Sequence, residues 1–130
     1  MSYLLDTNIC IALLKGEREL AKKFKAKAPT SFHLCSVVKA ELLYGAHKSQ
    51  NVEANLALLE HFFAQFNSLP FDDVAAQFYG TARALLAKAG TPIGANDLLI
   101  AGIAQVNNLT ILTRNRREFL RIPGLRTETW

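Results

Sequence analysis

The stretch Tyr3-Leu4-Leu5-Asp6-Thr7-Asn8, near the start of the chain, decides the fold that the sequence predicts. Three apolar residues end abruptly at a carboxylate, and an amphipathic segment follows from Ile9, so the pattern predicts a short buried strand and then a helix. In an open α/β sheet, ligands bind at the carboxyl ends of the strands, which is where Asp6 stands. Aspartate after a strand is also an ordinary helix cap, so this stretch alone leaves both roles open.

Apolar runs elsewhere in the chain alternate between short strands and longer helical segments. The predicted strands cover 3–5, 32–35, 109–112 and 125–127, with a brief extended piece at 69–71. The predicted helices cover 7–15 and 17–28, begin at caps on Ser36 and on Asp72 or Asp73, and cover 52–66 and 95–107. Because long helical segments separate the strands, the connections must cross over the sheet. The sequence therefore predicts an α/β fold of three layers, with a central, mainly parallel sheet between helices.

The composition fits a single folded domain spanning residues 1–130. Half of the residues are hydrophobic and 20% are charged, which excludes a disordered chain or a coiled coil. We see no basic leader, and no apolar run approaches the roughly 20 residues that cross a bilayer, so we expect a cytoplasmic protein that does not bind membranes. Cys10 and Cys35 lie in apolar runs without CxxC spacing, so we expect buried, reduced thiols.

The charge pattern is mildly basic. The formal net charge is +4 and the sequence pI is about 9.3, which falls short of a nucleic-acid signature by itself. Basic residues gather in two clusters, which either neutralise phosphates or form ordinary solvated surface. The first cluster contains Lys15, Arg18, Lys22, Lys23, Lys25 and Lys27, and the second contains Arg114, Arg116, Arg117, Arg121 and Arg126.

Three acidic residues interrupt apolar surroundings: Asp6, Glu41 and Asp97. Carboxylates at the edge of a core are costly unless they are paired or bound to metal, and grouped carboxylates repel one another. A divalent cation removes both problems. Because the candidate ligands are all oxygens, with no suitably spaced Cys or His, they favour Mg²⁺ or Mn²⁺ over zinc. Such a site can polarise a phosphodiester and generate a hydroxide.

Each acidic residue also has a simpler interpretation. Asp97 falls in the first turn of a predicted helix, where an acid favours the helix dipole. Glu41 lies in the middle of an apolar helix. It is either a residue at the edge of the core whose carboxylate reaches solvent or a ligand of the site. Glu118 follows several arginines and is explained equally well by surface ion pairs.

Four motifs occur together in one order and resemble the PIN-domain toxins of the VapC type over essentially the whole chain. Any one of them is weak, but four at compatible separations make the match specific. They are Leu4-Leu5-Asp6-Thr7-Asn8-Ile9, Ala40-Glu41-Leu42-Leu43-Tyr44-Gly45, the run from Pro92 to Ala101, and Leu112-Thr113-Arg114-Asn115 with Arg117-Glu118-Phe119 and Ile122-Pro123-Gly124-Leu125.

The resemblance implies a PIN fold and a metal-dependent endoribonuclease that uses Mg²⁺ or Mn²⁺. It also implies the toxin of a toxin–antitoxin pair, which forms homodimers, is held inactive by a cognate antitoxin and cuts structured RNA, commonly tRNA. Carried over by motif, Asp6, Asp97 and Glu41 bind metal, and Glu118 joins them in catalysis. The polar residues that support these carboxylates are Thr7, Asn8, Thr113 and Asn115, and the candidate RNA contacts are Lys15, Arg114, Arg116 and Arg117.

Asn115 departs from the family pattern, because many PIN domains have Asp in this region. Asparagine brings an oxygen but no charge, so a second ion binds weakly unless Glu118 or an RNA phosphate completes the site. Asn115 therefore leaves open a nucleic-acid-binding scaffold with an incomplete site. A separate alternative is a structure-selective DNA nuclease that uses the same carboxylates. The apolar stripe from Leu56 to Phe66 is expected to be core, or in part a surface for a second copy or the antitoxin.

Overall fold

The computed structural model describes residues 1–130 and contains five strands, all parallel. The strands are β1 (Tyr3–Leu5), β2 (Phe32–Cys35), β3 (Asn67–Leu69), β4 (Thr110–Leu112) and β5 (Thr127–Glu128). The helices are α1 (Thr7–Leu14), α2 (Arg18–Lys25), α3 (Ser36–His47), α4 (Val52–Phe63), α5 (Asp73–Lys88), α6 (Ala95–Val106) and α7 (Arg116–Phe119), and a 3₁₀ turn covers Pro29–Ser31.

The strand order β3-β2-β1-β4-β5 puts β1 at the centre of the sheet. The chain moves outward from β1 to β3 and then crosses back to β4 and β5, and helices flank the sheet, as predicted. A reversal of this kind opens a crevice between the two strands where the direction changes, here β1 and β4. Leu5 pairs with Leu112, and the amide of Asp6 donates to the carbonyl of Leu112 at 3.0 Å, so the two strands end side by side.

The central strands are buried on both faces, as parallel strands between two layers of helices must be. Leu4, Leu5, Ile111 and Leu112 are all fully buried. Helix α6 is the most deeply buried helix, with every residue from Ile100 to Ala104 buried. The helix that carries Asp97 is therefore fixed firmly in the core.

The packing of α5 on α6 depends on a glycine. A Cβ atom at Gly102 would lie 3.2 Å from the carbonyl oxygen of Ala75, a backbone atom that cannot move without shifting α5. At Gly80, within α5, a Cβ atom would meet nothing within 4 Å. These two helical glycines therefore differ only in what surrounds them.

Several predicted boundaries are wrong, and each has a physical cause. Cys35, not Ser36, occupies the cap position of α3, because the Ser36 hydroxyl donates to the carbonyl of Leu69 at 3.3 Å. The third strand begins at Asn67 and ends at Leu69, since this edge strand is largely exposed and carries no apolar pattern. The last strand lies at Thr127–Glu128, and the short helix α7 has no counterpart in the predicted elements.

Other expectations hold. Cys10 and Cys35 are buried free thiols, and burial raises the pKa of both. In the apolar stripe of α4, Leu59 and Phe62 are buried, so the stripe belongs mainly to the core. No helix of this chain combines the length and the apolar character that crossing a bilayer requires.

The two helical glycines give a matched test of the packing. Gly80→Ala is expected to raise the free energy of unfolding by about 0.5–1 kcal/mol, because alanine is the better helix former and meets no obstacle. Gly102→Ala is expected to lower it, since the new methyl group pushes against the Ala75 carbonyl. Urea denaturation measures both. Equal gains for the two variants would contradict the close packing of α5 on α6.

Candidate active site

Asp6 directly follows β1 and is 4% exposed. Its Oδ1 accepts a hydrogen bond of 2.8 Å from the amide of Thr7, which caps α1. Its Oδ2 accepts a hydrogen bond of 2.7 Å from the hydroxyl of Thr113. Burial raises the pKa of this carboxyl, and the two hydrogen bonds act against that rise. Both roles left open by the sequence are therefore compatible, since one oxygen caps the helix while the carboxylate belongs to a buried cluster.

Thr113 follows β4, is fully buried and connects Asp6 with the next turn. While its hydroxyl donates to Asp6, its Oγ1 accepts a hydrogen bond of 2.9 Å from the amide of Asn115. The Asn115 side chain in turn donates to Oδ2 of Asp97, at a long 3.4 Å. A chain of hydrogen bonds thus runs from Asp6 through Thr113 and Asn115 to Asp97.

Asp97 and Glu118 meet at Gly94. A Cβ atom at Gly94 would lie 4.0 Å from both Asp97 Oδ2 and Glu118 Oε2, so the glycine keeps open the space beside these two carboxylates. The pKa of Asp97 is raised to about 7, first by burial, then by its hydrogen bond with Glu118 and by the nearby charges of Asp6, Glu118 and Glu41. Asp97 therefore keeps its proton up to about neutral pH. Glu118 makes no ion pair, so the surface-pair interpretation is wrong.

Glu41 is half-buried on α3 and turns toward the same cluster. Burial raises its pKa, the Thr7 hydroxyl lowers it, and the negative charge of Asp6 raises it. The Thr7 hydroxyl is itself buried and makes no hydrogen bond of ordinary geometry, although it lies close enough to influence Glu41. Asp6, Glu41 and Glu118 are thus close enough to raise the pKa of Asp97, and no cation of the protein lowers it.

These residues fit a hard divalent cation in chemistry, though not yet in spacing. No three acidic, histidine or cysteine side chains stand close enough together to ligate one ion as they are arranged here. Like charges without a cation between them repel, so separated carboxylates and a retained proton are the expected arrangement. The donors are all oxygens and carry an uncompensated negative charge, which is what Mg²⁺ and Mn²⁺ require.

Other predicted residues lie outside this cluster. Asn8 is exposed and makes no hydrogen bond with the carboxylates. The guanidinium of Arg114 is bound at 2.7 and 2.9 Å by both carboxylate oxygens of Glu17, a pairing across 97 residues that no local pattern indicates. Arg116 donates to Thr127. Lys15 and Arg117 are exposed and form no ion pair.

Lys15 adjoins the cluster. It lines a groove of about 480 Å³ that also includes Thr7 and Glu41. Gly94 also belongs to the site, although the sequence analysis assigned it no role. Its place beside two carboxylates depends on how α6 and α7 come together, which no local pattern reveals.

Comparison with known proteins agrees with this architecture. The family described as "PIN domain" matches residues 3–125. The chain is 42% identical to the tRNA(fMet)-specific endonuclease VapC of Shigella flexneri, over 100% of this chain and 98% of the relative.

Two solved structures are similar over the full length of the chain. VapBC2 from Rickettsia felis, bound to a DNA fragment from its promoter, superposes with a TM-score of 0.94 at 37% identity and covers 100% of this chain and 99% of that chain. DNA-bound VapBC from Salmonella typhimurium superposes with a TM-score of 0.92 at 42% identity and covers 100% of this chain and 98% of that chain. This chain therefore belongs to the PIN-domain family and, within it, to the VapC family.

Proposed function

We propose that this protein is a metal-dependent endoribonuclease and the toxin of a toxin–antitoxin pair. The observation that carries the proposal is the convergence of Asp6, Glu41, Asp97 and Glu118 at the crevice between β1 and β4. Four acids without a protein cation are costly for folding alone and suit phosphodiester hydrolysis with a divalent ion. The full-length similarity to a VapC named as a tRNA endonuclease supports RNA as the substrate.

In this proposal Asp6 and Asp97 are direct ligands of Mg²⁺ or Mn²⁺, and Glu41 either binds a second ion or orients water. When bound, the ion would polarise the phosphodiester and lower the pKa of a water molecule. The protein supplies the orientation, because Thr113 and the Thr7 amide hold both oxygens of Asp6 in place. Asp97, whose pKa is raised to about 7, holds a proton that must leave before its carboxylate can bind a cation.

Glu118 takes the place of the acid that is missing at Asn115. Asn115 contributes a long hydrogen bond to Asp97 but no charge. Glu118 lies beside Asp97 and restores a fourth carboxylate to the cluster. The scaffold alternative, which rested on an incomplete acidic site, is therefore disfavoured.

The proposed substrate class is tRNA, with initiator tRNA as the first candidate, because the relative at 42% identity is named for that substrate. The proposed partners are a cognate antitoxin and a second copy of this chain. Support for the antitoxin comes from the Rickettsia felis and Salmonella typhimurium structures, which are VapBC assemblies.

Replacing the central carboxylate tests the activity. Asp6→Asn is expected to slow Mg²⁺- or Mn²⁺-dependent cleavage of tRNA by more than the roughly 10–100-fold that losing a partner behind a metal ligand costs. Asp73→Asn, an exposed acid at the start of α5, is the control and should leave cleavage unchanged. Rates come from gel analysis with antitoxin-free protein, with and without EDTA. Full activity of Asp6→Asn, or activity that survives EDTA, would refute the proposed mechanism.

The crowded carboxylates should destabilise the metal-free protein at high pH. The folded chain keeps the Asp97 proton until about pH 7, whereas the unfolded chain loses it near 3.8, so stability falls as the pH rises through this window. Asp97→Asn is expected to add about 1–2 kcal/mol at pH 8, after allowance for solvent screening, and little at pH 4. Denaturation in EDTA at both pH values measures the gain. A gain no larger at pH 8 than at pH 4 would contradict the repulsion.

Metal titration tests the role assigned to Glu118. Calorimetry with Mn²⁺ should show binding of a second ion that weakens about 10–100-fold in Glu118→Gln and tightens in Asn115→Asp, which places a new carboxylate beside Asp97. Asn8→Asp adds the same charge at an exposed position outside the cluster, and it should change the binding of neither the first nor the second ion. Identical titrations for Asn115→Asp and Asn8→Asp would show that position 115 does not belong to the metal site.

A further inference from the structure

A second cavity adjoins the acidic cluster. It has a volume of about 470 Å³, lies between α3 and the start of α6, and shares Glu41 with the cluster. Its size falls within the 300–1,000 Å³ typical of small-molecule sites. Its floor is apolar and is formed by Val37, Ala40 and Leu99. A group bound here would therefore lie directly beside the proposed scissile phosphate.

Tyr44 forms one wall of this cavity and is 66% exposed. It follows Glu41 by three residues on α3, so the two side chains share one face of the helix. The ammonium group of Lys48 lies 4.9 Å from the centre of the Tyr44 ring, and most of the Tyr44 side chain is still open to solvent. An exposed aromatic ring next to a nuclease site is suited to stack on an unpaired base.

Polar groups at the cavity complement the ring. Asn96 is exposed and makes no hydrogen bond within the chain, so its amide has both donors and an acceptor available. Ser36 donates weakly to Leu69 and keeps its acceptor lone pairs. An apolar floor, an open aromatic face and an edge of donors and acceptors match the chemistry of a nucleobase. A phosphate would instead be repelled by Glu41.

We propose that this cavity binds the base of an unpaired nucleotide next to the scissile phosphate, stacked on Tyr44 and hydrogen-bonded by Asn96. The inference rests on the proposed ribonuclease function and extends it, because it places sequence selection in a pocket outside the carboxylate cluster. A base can enter only where it is free to leave its helix, so the cleaved site lies in a loop or a single-stranded segment.

The test uses full-length protein carrying Asp6→Asn, so that RNA is bound but not cut. Hairpin RNAs with one 2-aminopurine, moved stepwise through the loop, report stacking by loss of fluorescence. Quenching is expected at one loop position with Tyr44 or Tyr44→Phe and not with Tyr44→Ala. Affinity should fall about tenfold in Tyr44→Ala, the size expected for one lost base–aromatic stack. Leu85→Ala changes an apolar residue on α5 that is 58% exposed, and this variant should behave like the parent protein.

Cleavage kinetics with Asp6 restored separate this inference from the proposed function. An abasic nucleotide at the quenched position should lower kcat/KM about tenfold for the unmodified protein and for Tyr44→Phe. For Tyr44→Ala, kcat/KM should be the same on the abasic and the unmodified RNA. Asn96→Ala should still quench 2-aminopurine, but its kcat/KM should no longer differ among RNAs with different bases at that position.

Unchanged quenching and kcat/KM in Tyr44→Ala would overturn the base pocket and leave the ribonuclease standing. Absence of any RNA cleavage by the unmodified chain would overturn both. If Tyr44→Ala halves the mass seen in sedimentation while quenching is unaffected, Tyr44 is a contact between copies and the base pocket is refuted.

Discussion

The hydrogen bond of 2.7 Å between Thr113 and Asp6 is the interaction on which the site depends. It joins residues 107 positions apart and lies where β1 and β4, the two strands at the reversal of the sheet, end side by side. Both side chains are buried, so neither can turn to water. Asp6 is thus fixed by the core of the protein, and the remaining acids, on α3, α6 and α7, are positioned around it.

The fold could be predicted where hydrophobic pattern and burial coincide. The strands at Tyr3, Phe32 and Thr110 are apolar runs because the sheet is covered on both faces, and their parallel pairing follows from the helical crossovers. The errors fall where burial gives no signal. The exposed edge strand that begins at Asn67 has the polar sequence typical of a loop. The Ser36 hydroxyl donates a hydrogen bond to a neighbouring strand whose position the sequence does not reveal.

The same limit separates the parts of the site. Asp6, Glu41 and Asp97 were identifiable because each breaks an apolar pattern, which is a local property. Glu118 had two interpretations, since its neighbours in sequence are arginines while its neighbour in space is Asp97. The pairing of Glu17 with Arg114 depends on which loops meet at the rim, and local sequence carries no record of that. Predicting these contacts requires the three-dimensional arrangement of the strand ends.

The hydrogen bonds that the basic residues make within the protein decide which of them remain available to bind phosphates. Of the second cluster, Arg114, Arg116, Arg121 and Arg126 all donate to the protein itself, and only Arg117 is left without a partner. Guanidinium groups committed in this way hold loops around the site and have less capacity to neutralise phosphates. In the first cluster only Lys22 forms an ion pair, with Glu19 at 3.9 Å, so that cluster keeps the charges that could release counterions on binding the proposed RNA. In the proposed function, a divalent ion at the carboxylates and contacts with unpaired bases would add to that electrostatic attraction, and both would lie beside Glu41, which the two cavities share.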